Sequence, residues 1–321
     1  MVKVLGLIIL RLNCALKIII FNKNNTQTIG IVGMSNSNSE QVRRDQRQDW
    51  DSVAAGWQKW YRTFEKGASK MSYKLIEMAN IKPTSKVLDI ATGIGEPAIA
   101  VARCVGASGH VLATDVSTQM LTIARERAIT EHLEGIIDFK AGDAATIDLP
   151  EFCFDAALCR FGLMFLDELD SGLSNIYKSL VKGGRFAASV WATPEKVPQL
   201  ALAVDTVRKE LNILSPPPVV TPGPFSLADE EVLKNSFVRC GFKVMDIERI
   251  NIAFEFDSAE EYTNFTKDIA APVLAILADQ TLDRKEQIWK AVTKEATKFV
   301  KNNTDSIVLD NEAICIVGEK Q

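Results

Sequence analysis

Between residues 87 and 190, short apolar runs alternate with helical patterns, and this alternation restricts the fold more than any other feature of the chain. Segments 87–90, 110–114, 136–140, 154–160 and 185–190 read as strands, with helices at 96–105, 117–130 and 169–180 between them. Parallel neighbours have to be joined by crossovers, so this order predicts a mostly parallel sheet with helices on both faces. In such sheets a ligand lies in the crevice at the carboxyl ends of the strands. At 321 residues, 47% of them hydrophobic, the chain can build this core and add further elements around it.

The flanking segments follow other patterns. Trp50, Val53, Ala54, Trp57, Trp60, Tyr61 and Phe64 recur at three- and four-residue spacing, which predicts amphipathic leader helices over 41–80, closed by Pro83. After Trp191 come a helix, a break rich in proline at 216–224, and a second helix start at Ser226. Strands at 242–249 and 251–256, a helical block over 258–301 and a last strand at 313–318 complete the chain. Helices placed between these late strands are expected to roof the crevice, and substrate choice is expected to reside there. The expected organisation is an amino-terminal extension (1–33), leader helices (34–80), a cofactor-binding core (81–195) and a helical cover with the final strands (196–321).

Residues 1–33 are apolar, but Lys3, Arg11 and Lys17 interrupt them well short of the roughly 20 uncharged residues a membrane span needs. They read as a poorly ordered upstream extension, with the functional chain starting at Met34. A surface-lying amphipathic segment is the second reading. A formal net charge of -4 gives no basic footprint for a nucleic-acid backbone. The six cysteines form no C-x-x-C pair and have no histidine nearby, so neither a disulfide framework nor a metal site is expected, and a reducing cytoplasm fits. His110 and His132 fall at the starts of strands, away from the crevice, and read as structural.

Chemistry concentrates in SKVLDIATGIGEPAIA, residues 85–100: a strand ending near Asp89, a turn through Gly93 and Gly95, then a helix start. Glycine lets the backbone bend sharply and approach a ligand, and the following helix opens with unpaired amides. Gly93, Gly95 and Ala98 also satisfy the dinucleotide fingerprint, so the turn alone leaves the cofactor open. Asp89 ends the strand, with Ala91 and Thr92 intervening before the first glycine, and an acid there can attract a cationic ligand. Asp115, at the next strand end, is placed to accept from two ribose hydroxyls in either cofactor class.

Further along, Gly142-Asp143-Ala144 follows the third strand, Phe154-Asp155-Ala156-Ala157 opens the fourth, and Arg160-Phe161-Gly162-Leu163-Met164-Phe165 ends it. Leu180-Val181-Lys182-Gly183-Gly184-Arg185 makes a helix-to-strand glycine turn. Taken in order, these residues resemble class I S-adenosylmethionine-dependent methyltransferases, and within them the group containing the ubiquinone and menaquinone biosynthesis C-methyltransferases. The resemblance covers about residues 45 to 195. It implies an α/β fold with a Rossmann-like, seven-stranded, mostly parallel sheet, helices on both faces and helical cover insertions.

The resemblance also implies S-adenosyl-L-methionine as cofactor and a small-molecule acceptor. Asp89, Thr92, Gly93 and Gly95 would hold the methionine part, and Asp115 the ribose. Val116 and Met120 would flank the adenine, and Asp143 and the Ala144 amide would read its edge. The backbone at Arg160 and Phe161 would line the methyl-donor end. Trp57 and Tyr61 from the leader, with Phe161 and Met164, are the candidates for the acceptor pocket, where aromatic faces can cover a sulfonium or clamp a flat substrate. Two departures stand out: Ala91 occupies the usual first glycine, and RFGLMF differs from the quinone enzymes. The general base is not legible. Two other functions compete: a nicotinamide-dependent short-chain oxidoreductase, for which no tyrosine carries a lysine four residues on, and a non-catalytic S-adenosylmethionine-binding regulator.

Overall fold

The computed structural model describes residues 7–12, 15–22, 25–28, 32–33, 36–213, 222–301 and 304–321. Met34, most of the proline-rich break and Cys14 lie outside the described residues. The chain divides into two units, Met1–Gln48 and Asp49–Gln321. The first holds strands β1 (Leu7–Leu12), β2 (Ala15–Asn22), β3 (Asn25–Thr28) and β4 (Val32–Gly33), in which β2 pairs antiparallel with each of the other three.

Helix α1 (Asn36–Met78) starts in the first unit, and from Asp49 onward it belongs to the second. The spacing of its apolar residues predicted more than one leader helix. A single helix forms instead, since no glycine or proline in 36–78 breaks it: Gly56 and Gly67 are used where α1 meets other backbone. A Cβ on Gly56 would come within 1.9 Å of the Asp268 carbonyl oxygen, and one on Gly67 within 2.5 Å of that of Ala253. The lower half buries Ala68, Met71 and Leu75 completely.

The core then follows as β5 (Lys86–Ile90), α2 (Ala98–Val105), β6 (His110–Asp115), α3 (Thr118–Thr130), β7 (Ile137–Ala141), β8 (Phe154–Arg160), α4 (Leu169–Ser179) and β9 (Leu180–Trp191). The cover comprises α5 (Pro198–Glu210), α6 (Glu230–Arg239), β10 (Phe242–Phe256), α7 (Ala259–Ile269), α8 (Ala271–Leu277), α9 (Leu282–Ala296) and β11 (Ile307–Lys320). Strand order in the seven-stranded sheet is β10-β11-β9-β8-β5-β6-β7; β11 pairs antiparallel with both β10 and β9 and so runs against all the others, while the pairs from β9 to β7 are parallel. The expected fold class is the one observed. Chain order runs outward from β5 through β6 to β7, then restarts at β8 on the other side, which makes the tips of β5 and β8 the switch point where ligands bind.

Two expectations need correction. The runs 242–249 and 251–256 are one strand, because Arg249, Ile250 and Asn251 stay in register with β11 and the only irregularity falls between Val244 and Asp246. Strand β9 begins at Leu180 rather than Arg185: Leu180 already pairs with Phe154, and Gly183, at φ +77°, lies inside the irregular stretch before Ala156 pairs with Arg185. The fully buried run Ala157–Cys159 faces buried Leu88 and Asp89 on β5 and Phe186, Ala187 and Ala188 on β9, as expected of strands covered on both sides.

Candidate S-adenosylmethionine site

The backbone after β5 takes an unusual path. Ala91 has φ +55°, Gly93 +56° and Gly95 +104°. Gly95 and Glu96 donate their amides back to the Thr92 carbonyl, at 3.0 and 3.1 Å, closing the turn, and Thr92 donates to the Thr114 carbonyl at 2.9 Å, tying it to β6. A Cβ on Gly93 would meet only Met120 Sδ, at 3.7 Å, whereas one on Gly95 would meet Ile99 and Ala124 at 3.1 and 3.3 Å. The first glycine thus serves conformation, and the second serves both conformation and the close approach of α3.

The two strand-tip acids flank this turn. Asp89 is fully buried, and its Oδ2 accepts from the Ala98 amide at 3.0 Å, anchoring the start of α2. Its Oδ1 and the neighbouring Thr92 Oγ1 are buried with no hydrogen-bond partner. Asp115 Oδ2 accepts from the Gly93 amide and Oδ1 from the Ser117 amide, both at 2.8 Å. An ionised carboxylate offers about four acceptor positions, so each oxygen keeps capacity for another donor. Burial pushes the Asp89 carboxyl up to about 7 and that of Asp115 up to about 6. The adjacent Thr92 hydroxyl, and after it the positive charge of Arg160, moderate the first, and the Ser117 and Gly93 amides moderate the second.

Helix α1 lies over this turn. Ser117 caps α3, its Oγ accepting from the Met120 amide at 3.1 Å while donating to Asp51 Oδ1 at 2.6 Å, and the Gln119 amide reaches the same Asp51 oxygen at 3.1 Å. Val53 and Ala54 of α1, Ile94 of the turn, Met120 and Ile123 of α3 and Ala271 of α8 form a separate apolar cluster, against which Trp50, Trp57, Tyr61 and Leu274 pack. The roof expected from the late insertions is therefore built jointly by α8 and α1. Arg127 lies 4.6 Å from the Tyr61 ring centroid and pairs with Glu96 at 3.0 Å.

The structure thus brings Trp57 and Tyr61 together with Met120 beside the glycine turn. Trp57 Nε1 is buried without a partner. Val116 is half-buried at the start of the segment leading into α3. Asp143 Oδ1 accepts from the Ala145 amide at 2.7 Å, and the Gly142 amide donates to the Asp115 carbonyl at 2.9 Å, which joins the third turn to the second acid. The Ala144 carbonyl accepts from Asn175.

Two residues point elsewhere. The Arg160 side chain is held against α1 by a bidentate pair with Glu65, at 2.5 and 2.9 Å, and by Ser72 Oγ at 2.9 Å, leaving its backbone at the strand tip. Met164 sits in the main core with its carbonyl accepting from Ser226 Oγ at 2.8 Å. Phe161, at φ +58°, stacks on Trp191 with centroids 4.0 Å apart. Sequence reasoning missed Asp51, Glu65, Glu96 and Arg127. Glu96 adjoins the glycine motif and was within reach, whereas Asp51 and Glu65 are charges on an amphipathic helix with no pattern to mark them.

These features fit S-adenosylmethionine: an unsatisfied buried carboxylate oxygen and hydroxyl for a cationic amino acid end, an acid beside them with acceptor capacity for ribose hydroxyls, and apolar walls for a flat base. The sheet order, the glycine turn and the two acids form the arrangement that the resemblance to class I S-adenosylmethionine-dependent methyltransferases implies.

Residues 87–184 match the family model described as a methyltransferase domain. The chain is similar to the ubiquinone/menaquinone biosynthesis C-methyltransferases UbiE of Rhodopseudomonas palustris, 34% identical over 32% of this chain and 40% of that protein, and of Cellvibrio japonicus, 34% identical over 41% and 52%. The match spans about half the length of these curated relatives. Among solved structures, the YcgJ protein from Bacillus subtilis is 19% identical over 78% of this chain and 97% of its own, with a TM-score of 0.53. Phosphoethanolamine N-methyltransferase 2 from Haemonchus contortus is 18% identical over 92% and 62%, with a TM-score of 0.50. These structures share the fold.

Proposed function

We propose that this chain binds S-adenosylmethionine across the tips of β5 and β6 and transfers its methyl group to a small-molecule acceptor. The observation that carries the reading is the pairing of Asp89 Oδ1 and Thr92 Oγ1, both buried and unsatisfied, with Asp115 on the other side of a glycine turn at positive φ. When bound, the cofactor supplies a methyl group already made electrophilic by its sulfonium. The chain has to hold donor and acceptor in line and exclude water, and positioning of this kind can supply on the order of 7–11 kcal/mol of the barrier.

In this assignment Asp89 and residues 92–95 take the amino acid end, Asp115 the ribose hydroxyls, Val116 and Met120 the faces of the adenine, and Asp143 with the Ala144 amide its edge. The backbone at Arg160 and Phe161 borders the methyl end. Trp57 and Tyr61 face the acceptor, while Met164, held in the main core, is left out of the acceptor set. The named activities of the relatives favour an apolar or aromatic acceptor, and the apolar roof of α8 agrees. Among the described residues no helix is long and apolar enough to cross a membrane, and no cluster of ligating side chains could hold a metal ion. Five described cysteines are free, which favours a reducing compartment such as the cytoplasm.

Calorimetric titration with S-adenosylmethionine, S-adenosylhomocysteine and NAD tests the cofactor. Binding of the first two and not the third is expected, and the reverse overturns the reading. Methyl transfer from labelled donor over a metabolite panel then tests turnover, and a protein that binds the donor without any transfer would be a regulator instead.

A further inference from the structure

We propose that Asn175, on α4, is a positioning residue that holds the turn at residues 142–147 in the shape that selects the adenine base of the donor. The inference rests on the function proposed above.

Asn175 Nδ2 donates to two backbone carbonyls of this turn, that of Ala144 at 3.0 Å and that of Ile147 at 2.8 Å. Both partners are acceptors only, so the amide nitrogen has to face them. The first bond matters most. The Ala144 carbonyl and the Ala145 amide are the two ends of one peptide unit, which is planar. Its carbonyl is held by Asn175 and its N–H by Asp143 Oδ1, at 2.7 Å. A side chain on a core helix therefore fixes the tilt of a peptide plane, and that plane orients the Asp143 carboxylate.

The rest of the turn closes around the same arrangement. The Thr146 and Ile147 amides donate to the Asp143 carbonyl at 3.0 and 2.7 Å, and Gly142 donates to the Asp115 carbonyl at 2.9 Å. A Cβ on Gly142 would fall 2.8 Å from Ile147 side-chain atoms, so the turn is folded tightly on itself. Three residues before Asn175 on α4, Gly172 allows close approach: a Cβ there would lie 2.5 Å from Leu166 Cδ2 and 3.7 Å from Ala144 Cβ. Gly172 and Asn175 share one helix face, and that face is the seat of the turn. Losing the Asn175 amide releases the Ala144 carbonyl and loosens the hold of the Ala145 amide on the Asp143 carboxylate, which then meets the exocyclic amino group of adenine less well.

The test compares two probes, S-adenosylhomocysteine and its 6-deamino purine analogue, whose bases differ only in that amino group. In Asn175→Ala, affinity for the adenosyl probe is expected to fall about tenfold, the scale of one oriented hydrogen bond to a charged acceptor. Affinity for the deamino probe is expected to change less than about threefold on the same scale. Combining N175A with Asp143→Ala should add little to D143A alone, since both act through one contact. Without ligand, hydrogen exchange at the Ala145 amide should quicken while the strands β5 and β6 keep their protection. If N175A loses its fold, Asn175→Ser carries the same comparison. A variant that weakens both probes equally, or neither, overturns the proposal and leaves the methyltransferase reading standing. Wild-type protein that binds neither probe overturns that reading and this proposal together.

Discussion

Ser117 Oγ donates to Asp51 Oδ1 across 2.6 Å, joining the cap of α3 to a carboxylate on α1 sixty-six residues earlier in the chain. Because the Ser117 amide is bound at the same time to Asp115, one residue links the roof helix to the acid assigned to the ribose. The contact places a second negative charge beside Asp115 and contributes to the upward shift of its carboxyl.

Asp51→Ala is therefore expected to loosen α1 at its upper end. Loss of a capping carboxylate costs on the order of 0.5–2 kcal/mol. Faster hydrogen exchange over residues 49–61, with exchange over 68–78 unchanged, would show that the loss is local. The variant should also titrate Asp115 at a lower pH than the wild type, because a like charge has gone. Uniform loss of protection along the whole helix would contradict this division of α1.

Replacing Asp115 removes two backbone contacts and the proposed ribose acceptor together. Asp115→Asn keeps the shape but exchanges one acceptor for a donor aimed at an amide. Affinity for S-adenosylhomocysteine is expected to fall by about 1.5–3 kcal/mol, the range for hydrogen bonds to charged groups. Calorimetry on the folded variant checks this, and unchanged affinity would remove Asp115 from the site.

The buried acids also set a pH dependence. A carboxyl raised in the folded state binds its proton more tightly there than in the unfolded chain, so its favourable contribution is complete below the unfolded value near 3.8 and is lost as pH rises through about 7 for Asp89 and about 6 for Asp115. Relative to Asp89→Asn, the ligand-free wild type should lose thermal stability between about pH 4 and about pH 7. An ammonium group beside it favours ionised Asp89, so stabilisation by the amino acid end of S-adenosylhomocysteine should grow over the same interval. Melting curves of both proteins, with and without ligand, test the sign. A ligand effect independent of pH would place the amino group away from Asp89.

Much of this site was legible because strand tips and glycine turns are local features. Asp89, Gly93, Gly95 and Asp115 could be placed from strand ends and turn residues alone, since the chain next to each fixes its position. What could not be read were contacts made at long range. The Glu65–Arg160 pair spans 95 residues, and only the folded sheet shows that the arginine is satisfied by α1 and is not turned toward a substrate. The joining of 242–249 and 251–256 into one strand likewise depends on continuous pairing with β11, which neither segment encodes by itself. The close packing of α1 rests on Gly56 and Gly67, whose role appears only where the helix presses on the carbonyls of Asp268 and Ala253.

Ala91 and Gly162 give the last prediction. Ala91 holds φ +55° without being glycine, and a Cβ on Gly162 would fall 2.5 Å from its methyl carbon and 2.8 Å from Cys159 Sγ. The small residue at 162 makes room for the methyl at 91. Gly162→Ala should be overpacked and cost about 1–3 kcal/mol. Ala91→Gly relieves a left-handed conformation worth about 1–2 kcal/mol but frees the unfolded chain by about 0.4–1, so its net effect should be small and favourable. The double variant should then be more stable than the sum of the single changes, with the Cys159 contact preventing full rescue. Denaturant titration of all four proteins measures the coupling, and strict additivity would show that the two positions do not share this space.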